Sequence, residues 1–154
     1  MRPRVYIDTS VIGGCLDEEF LAWSNRLVRE INRGLKVAII SDLTLRELEG
    51  APEPVKRVYA GLSKEYVEIV QLTEESEGLA NEYVHQKAVE PQHIVDAQHI
   101  AIATVERVDV VVSWNFKQIV NLDKIHLFNS VNIKLGYSPL EIRSPREVVY
   151  EKEI

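Results

Sequence analysis

Short runs of β-branched and aromatic residues alternate along the chain with longer segments in which apolar residues recur at helical spacing. The short runs predict buried strands, because each is bounded by turn or capping residues. The predicted strands are a run from Val5 that ends on Asp8, then Lys36–Ser41, Tyr66–Leu72, Asp109–Ser113 and Leu140–Ile142. Strands that alternate with helices predict an α/β fold, a parallel sheet with helices on both faces. The Asp109–Ser113 run is almost wholly apolar, which predicts a central strand.

The helical segments carry residues that begin or end helices, and Gly13-Gly14 indicates a break after the first strand. The first predicted helices are Asp17–Arg33, a short helix through Leu45 and Leu48 that Asp42 or Thr44 caps, and a helix that Pro54 opens. They are followed by a helix capped by Thr73, the helix Ile94–Val108, and a helix from about Leu122 to Leu135 with Gly136 at its C′ position. A terminal helical turn is predicted after Ser144. The chain shows no internal repeat, low-complexity tract or linker, so we expect one domain over residues 1–154.

The composition fits a globular protein with a sizeable core. Of the 154 residues, 45% are apolar and 27% are charged, and no apolar run is long enough to span a bilayer. Without a secretory signal, and with Cys15 as the single cysteine, we expect a cytoplasmic protein without internal disulfides. Cys15 is expected to be a small core residue rather than a nucleophile. The net charge of −6 argues only mildly against nucleic-acid binding, because carboxylates that hold divalent cations also make a chain acidic.

Four polar residues lie at the ends of predicted strands or on the helices next to them. Asp8 ends the first strand, Glu47 lies on the helix after the second, Asp96 lies in the first turn of the helix before the fourth, and Asn115 follows the fourth. If the first, second and fourth strands are neighbours, all four side chains face one crevice at the carboxyl edge of the sheet. Carboxylate and amide oxygens are ligands that Mg²⁺ or Mn²⁺ prefers. Such a metal could activate a water and orient a phosphodiester.

Each of these residues also has a purely structural interpretation. Asp8 and Asn115 could be turn residues, Glu47 could be solvated, and Asp96 could complement a helix dipole. The joint pattern is more informative than any single member.

Several nearby residues are candidates for supporting roles. Ser10 and Ser113 have no histidine base close in sequence, so we expect them to hydrogen-bond the carboxylates or a metal-bound water rather than to act as nucleophiles. His93 and His99 flank Asp96, but zinc would need more nitrogen or sulfur ligands at recognisable spacing. They are interpreted as surface or helix-packing histidines.

Basic and aromatic residues near these positions are candidates for contacts with the phosphates and bases of a nucleic acid. Lys117 and Arg46 are candidate phosphate ligands that could equally be solvated. Trp114 and Phe116 could stack on bases or pack on the core.

With these residues assembled, the sequence resembles the PIN-domain family of nucleases, and within it the prokaryotic VapC-type toxins. The matching segments lie in family order and are Tyr6–Ile12, Ser41–Leu48, Asp96–Ala103 and Val112–Phe116. The resemblance implies a Rossmann-like sheet flanked by helices and a Mg²⁺- or Mn²⁺-dependent endoribonuclease. It also implies an RNA substrate, a homodimer and an inhibitory antitoxin protein.

The family's acids fall on Asp8, Glu47 and Asp96 as metal ligands. The fourth polar position falls on Asn115, where many relatives carry aspartate. Because an amide brings no charge, this departure leaves open whether one or two ions bind.

Other functions are weighed on specific positions. A phospho-acceptor receiver domain would need an aspartate after the third strand, and a haloacid-type phosphatase would need aspartate where Ser10 stands. A catalytically silent PIN-like module that only binds RNA or a protein stays open, because of Asn115 and the acidic pI of about 5.3.

Overall fold

The computed structural model describes residues 1–150 and contains a five-stranded sheet in the order β3-β2-β1-β4-β5. Every pair of neighbouring strands is parallel. The strands are β1 (Arg4–Ile7), β2 (Val37–Ser41), β3 (Val67–Val70), β4 (Val110–Val112) and β5 (Ile142–Arg143). The helices are α1 (Thr9–Gly14), α2 (Leu21–Asn32), α3 (Asp42–Glu49), α4 (Glu53–Ala60), α5 (Glu74–His85), α6 (Ile94–Val105), α7 (Leu122–Lys134) and α8 (Pro145–Val148). The predicted α/β fold, a parallel sheet flanked by helices, is confirmed.

The register of the central strands brings their carboxyl ends to one edge. Tyr6 pairs with Ile39 of β2, and Ile7 pairs with Val112 of β4. The residues that follow, Asp8 and Ser113, therefore leave the sheet side by side. The expected neighbourhood of the first, second and fourth strands is confirmed. β4 is an interior strand, as predicted, and β1 beside it is the middle one of the five.

Alternation along β1 divides the core into two layers. Val5 and Ile7 belong to the layer beneath α1 and α2, whereas Tyr6 belongs to the layer with α5, α6 and α7. All three side chains are fully buried. A strand covered on both faces has no solvent-facing side, which explains why its residues read as a continuous apolar run.

The prediction of a break at Gly13-Gly14 was wrong, because both glycines lie inside α1. Asp8 caps this helix, and its side chain accepts a hydrogen bond from the backbone N–H of Val11. A capping carboxylate satisfies an N–H that the first turn leaves without an intrahelical partner. The next helix begins at Leu21 rather than at Asp17, after a turn in which Phe20 N–H donates to the Asp17 carbonyl.

Most of the other boundaries agree within a few residues. The helices at Pro54, Ile94 and Leu122 are confirmed, as are the cap at Thr73 and the positive φ of Gly136. The terminal turn is present, with a capping box formed by Ser144 and Glu147.

Three details of the prediction differ from the structure. The cap of α3 is Ser41 rather than Asp42 or Thr44. The third strand is shorter than expected, ending at Val70, and β5 begins at Ile142.

Cys15 is buried, and burial raises its pKa to about 11, as expected for an unreactive core thiol. Within the residues described, no helix combines the length and the apolarity that a membrane crossing requires.

Candidate active site

The carboxylate of Asp8 is held by two serine hydroxyls at the carboxyl edge of the sheet. Ser10 Oγ donates to Asp8 Oδ1 at 2.6 Å, and Ser113 Oγ donates to Asp8 Oδ2 at 2.6 Å. Both hydroxyls also accept backbone N–H groups from the loop after β4: Trp114 N–H donates to Ser10 at 2.9 Å, and Asn115 N–H donates to Ser113 at 3.0 Å. These bonds tie the end of β1 to the loop after β4 and fix the orientation of the carboxylate.

The buried position of Asp8 disfavours the ionised form of its carboxyl group. The residue is 7% exposed, and burial raises the pKa of its carboxyl above the ordinary value. The charge of His99 and the hydrogen bonds from Ser10 and Ser113 oppose this shift. Burial of a carboxylate is unfavourable unless compensating groups surround it, so the ionised Asp8 lowers the stability of the folded protein.

Asp96 and Asn115 meet across the same edge. Asn115 Nδ2 donates to Asp96 Oδ1 at 3.3 Å, while Asn115 Oδ1 accepts the backbone N–H groups of Lys117 and Gln118 at 3.2 and 3.0 Å. Those two backbone donors fix which side of the amide faces Asp96. Asn115 therefore presents a hydrogen-bond donor to the carboxylate, and its oxygen is occupied by the loop.

The surroundings of Asp96 show that the carboxylates share one electrostatic environment. Burial raises the pKa of Asp96, and the negative charges of Asp8 and Glu47 raise it further, against the influence of His99 and His93. His93 Nδ1 lies 3.6 Å from Asp96 Oδ2. Like charges placed together disfavour ionisation, and a bound cation would relieve this effect on Asp96.

Glu47 is connected to the core through a histidine. His99 is buried on α6, and its Nε2–H donates to Glu47 Oε1 at 3.0 Å. This hydrogen bond lowers the pKa of Glu47 below its usual range, although partial burial opposes it. The Glu47 side chain is 45% exposed, so it stays ionised at neutral pH and open to solvent.

The other nitrogen of His99 faces the central strand. Nδ1 lies 2.5 Å from the Tyr6 hydroxyl, which also lies 2.7 Å from Ser41 Oγ. Because a tyrosine hydroxyl has a single proton, it donates to only one of these two neighbours. Burial raises the pKa of Tyr6 well above its usual value, so the hydroxyl remains protonated.

The His99–Tyr6 connection was missed at the sequence level. His99 lies three residues after Asp96, and this spacing places the two on one face of α6. That spacing was the available signal, whereas the partners Tyr6 and Glu47 lie on other elements and share no local pattern with His99.

The oxygen donors have the chemistry that Mg²⁺ or Mn²⁺ requires. Within residues 1–150, no three His, Cys, Asp or Glu side chains lie close enough to hold one ion. The buried Thr9 hydroxyl lies close enough to Glu47 to help lower the pKa of that carboxyl. Carboxylate oxygens that cannot all reach one ion directly fit a hydrated cation, whose waters complete the coordination shell.

The two candidate phosphate ligands lie at the surface of neighbouring elements. Arg46 is exposed in the last turn of α3, directly before Glu47, and Lys117 is exposed in the loop after Asn115. Within the described residues, neither side chain forms an ion pair. Both side chains are therefore available to an external anion.

No protein-family model matches the chain, and no curated protein matches it. Its fold is similar to that of VapC20 from Mycobacterium tuberculosis, described as a sarcin-ricin loop cleaving toxin, with 17% identity over 89% of this chain and 98% of that chain and a TM-score of 0.54. VapBC2 from Rickettsia felis, bound to a DNA fragment from its promoter, gives 13% identity, 92% and 98% coverage, and a TM-score of 0.59.

A third structure, FitAB bound to an IR36 DNA fragment, gives 15% identity, 96% and 99% coverage, and a TM-score of 0.51. At these identities the likeness establishes the fold. The resemblance found in the sequence is thereby confirmed: this chain has the fold of the PIN-domain toxins.

Proposed function

We propose that this protein is a Mg²⁺- or Mn²⁺-dependent endoribonuclease that hydrolyses phosphodiester bonds of RNA. The observation that carries the proposal is the placement of Asp8, Glu47 and Asp96. At the carboxyl edge of the sheet, the negative charges of Asp8 and Glu47 raise the pKa of Asp96. The shared fold with VapC20, a toxin that cleaves the sarcin-ricin loop, adds support for RNA as the substrate.

In this proposal Asp8 and Asp96 are the main metal ligands. Glu47 binds through a metal-bound water, because within residues 1–150 the three carboxylates are not close enough to hold one ion directly. Each carboxylate oxygen has two lone pairs. Asp8 Oδ2 uses one of them for Ser113, which leaves the other for an ion or its water. When bound, the metal would lower the pKa of a water and stabilise charge on the phosphodiester.

The chain's own groups position the reactants and move the proton. Ser10 and Ser113 fix the plane of the Asp8 carboxylate, and the Asn115 amide orients Asp96. Glu47 is ionised and partly exposed, so it accepts the proton of the attacking water, at Oε2, while Oε1 retains His99. Arg46 and Lys117 bind the phosphates that flank the cut.

The proposal extends to the setting in which the nuclease acts. VapBC2 and FitAB are toxin–antitoxin complexes, which supports a toxin role with an inhibitory antitoxin for this chain. We expect a single domain over residues 1–154 that acts as a homodimer in the cytoplasm. Isolation of the chain with a stably bound small protein that suppresses its nuclease activity would support this part.

The proposed chemistry is tested by cleavage of a generic single-stranded RNA in Mn²⁺ or Mg²⁺. We expect cleavage by the wild-type protein, no cleavage in chelator, and no cleavage by Asp8→Asn or Asp96→Asn. Asp123→Asn is the matched control, because Asp123 is also an acid in the first turn of a helix but is exposed on α7.

The result that overturns the proposal is equal cleavage by Asp8→Asn and the wild-type protein in a preparation free of other nucleases. A folded wild-type protein that binds RNA in Mn²⁺ without cutting it would instead establish the catalytically silent module.

A further inference from the structure

Four aromatic side chains line a cleft next to the carboxylates, and none of them has a part in the proposed hydrolysis. We call this the aromatic cleft; its volume is about 250 Å³, and it is lined by Phe20, Trp23, Trp114, Phe116, Glu19 and Arg146. Pockets for drug-sized ligands begin at roughly 300 Å³, so this volume suits one small planar group.

The cleft has a rigid wall. The rings of Phe20 and Trp114 stack with their centroids 4.1 Å apart and their planes 16° from parallel. Trp114 is 8% exposed, and its Nε1–H donates to Ser24 Oγ at 2.8 Å. Gly14 lets the indole approach α1, because a Cβ at that position would lie 2.7 Å from Trp114 Nε1.

Phe116 forms the open side of the cleft. The residue is 48% exposed, and its ring stands at 66° to Trp114, with centroids 6.1 Å apart. The ring therefore contacts another aromatic ring without stacking flat on it, while about half of the residue's surface stays in water. An exposed aromatic ring beside a prearranged cleft is a group on which a base can stack.

The position of the cleft and the cation at its rim favour a nucleotide as the occupant, with Glu19 as the one acid among the described residues that line it. Trp114 N–H donates to Ser10 Oγ, and Ser10 Oγ donates to Asp8, so one hydroxyl joins the cleft to the candidate catalytic carboxylate. At the rim, the Arg146 guanidinium lies 5.3 Å from the centre of the Trp23 ring. Within residues 1–150 it forms no ion pair with a carboxylate, so it can bind a phosphate.

We propose that the aromatic cleft binds one unpaired nucleobase of single-stranded RNA, next to the phosphate that is cut. Phe116 supplies the stacking face, and Arg146 contacts the neighbouring phosphate. This inference rests on the proposed function for the location of the cut, and it adds the recognition of an unstacked base. A partner protein that inserts an apolar side chain is the competing occupant.

The test measures the affinity of a labelled single-stranded RNA hexanucleotide for Asp8→Asn protein in Mg²⁺, a background that the proposed function makes inactive. Adding Phe116→Ala should weaken binding about 5- to 150-fold, the effect of losing one base–aromatic stack. Phe116→Tyr keeps the ring and should bind like the parent, whereas Phe116→Leu keeps only apolar bulk and should resemble alanine. Ile133→Ala is the control, because Ile133 is 60% exposed on α7 and lies outside the cleft.

A second readout uses the active protein on a mixed-sequence RNA. Phe116→Ala in the wild-type background should flatten the base preference at the nucleotide next to the cut, whereas Ile133→Ala should leave that preference unchanged. Because the hexanucleotide affinity is measured without cleavage, it separates the two proposals. Ring-dependent binding, together with no cleavage by the wild-type protein, would support the cleft and overturn the nuclease.

Two results would overturn the base site. One is equal RNA affinity of all the Phe116 variants, including the case in which the parent binds no RNA. The other is loss of a defined protein partner in Phe116→Ala with unchanged RNA affinity, which would assign the cleft to that protein.

Discussion

A single buried histidine sets the protonation of the most exposed acid in the candidate site. His99 donates from Nε2 to Glu47 and faces Tyr6 with Nδ1. The donated hydrogen bond keeps the pKa of Glu47 low, so Glu47 remains an ionised base at neutral pH. The same bond fixes one carboxylate oxygen and leaves the other to face solvent.

This arrangement predicts how the pH dependence of cleavage responds to substitution of His99. Activity that needs ionised Asp8, Asp96 and Glu47 is lost as the pH falls through their pKa values, and His99 lowers the pKa of all three. Without the histidine these pKa values rise, so His99→Leu should move the acidic limb of the pH–rate profile to higher pH.

His99→Gln can still donate and should leave the limb closer to its wild-type position. His126→Leu, which changes an exposed histidine on α7, is the control and should not move the limb. Identical acidic limbs for wild type and His99→Leu would contradict the assignment, provided that circular dichroism shows both proteins to be folded.

The place of a residue in the candidate site could be predicted from the sequence only where its surroundings are local. Asp8 and Asp96 were candidates because each lies at the beginning or end of an element with a clear apolar pattern. The contact between His99 and Glu47 spans 52 residues along the chain, and no local pattern records it.

The first helix supports the candidate site, but its sequence pattern led to a wrong prediction. Two adjacent glycines predicted an interruption of regular structure, yet Gly13 and Gly14 lie within α1. Their environments differ: a Cβ at Gly13 would meet nothing within 4 Å, whereas one at Gly14 would meet Ser24 Oγ at 2.5 Å and Trp114 at 2.7 Å. The glycine at position 14 is thus required by packing, and only the tertiary structure shows this.

The two glycines therefore make a matched pair for a stability measurement. Gly13→Ala should raise the free energy of unfolding by about 0.5–1 kcal/mol, because alanine is the better helix former. Gly14→Ala should lower it by about 1–3 kcal/mol, because the new methyl group overpacks against Ser24 and Trp114. Urea denaturation of both variants measures the difference. Equal effects of the two substitutions would show that the indole does not press on α1.

Element boundaries were predicted best where capping chemistry and periodicity agree. Thr73 and Ser144 cap their helices as expected, since each supplies a side-chain oxygen at the end of an apolar pattern. At α3 several polar residues compete, and the true cap, Ser41, also ends β2. The order of the strands depends on contacts between distant segments, so the central place of β1 could not be read from the apolar content of β4.

For the whole molecule, the acidic site is a cost that a cation can offset. The chain carries a net charge of −6, and Asp8 and Asp96 both have raised pKa values. A carboxyl group whose pKa is raised by folding disfavours the folded state above that pKa, and the penalty disappears on acidification below the ordinary value. Removal of the charge, or its neutralisation by a cation, relieves the same penalty.

Thermal unfolding can test this balance directly. In chelator at neutral pH, Asp8→Asn should melt above the wild-type protein, and the difference should shrink toward acid pH. Mg²⁺ or Mn²⁺ at about a hundred times its Kd should stabilise the wild-type protein by ~2.7 kcal/mol, a rise in Tm of roughly 5–10 °C, and should stabilise Asp8→Asn much less. Asp123→Asn should respond to the cation as the wild-type protein does. A wild-type Tm that divalent cations leave unchanged would argue against a metal at Asp8.

The parallel sheet also has a consequence for the timing of biosynthesis. Asp8 obtains its hydrogen bond from Ser113, which lies 105 residues later in the chain, and β4 must dock beside β1 before the two side chains meet. A polypeptide emerging from the ribosome therefore exposes its first aspartate long before the loop that orients it has been translated. A growing chain lacks the assembled centre, so under the proposed function it could not cleave RNA until most of its sequence has been synthesised.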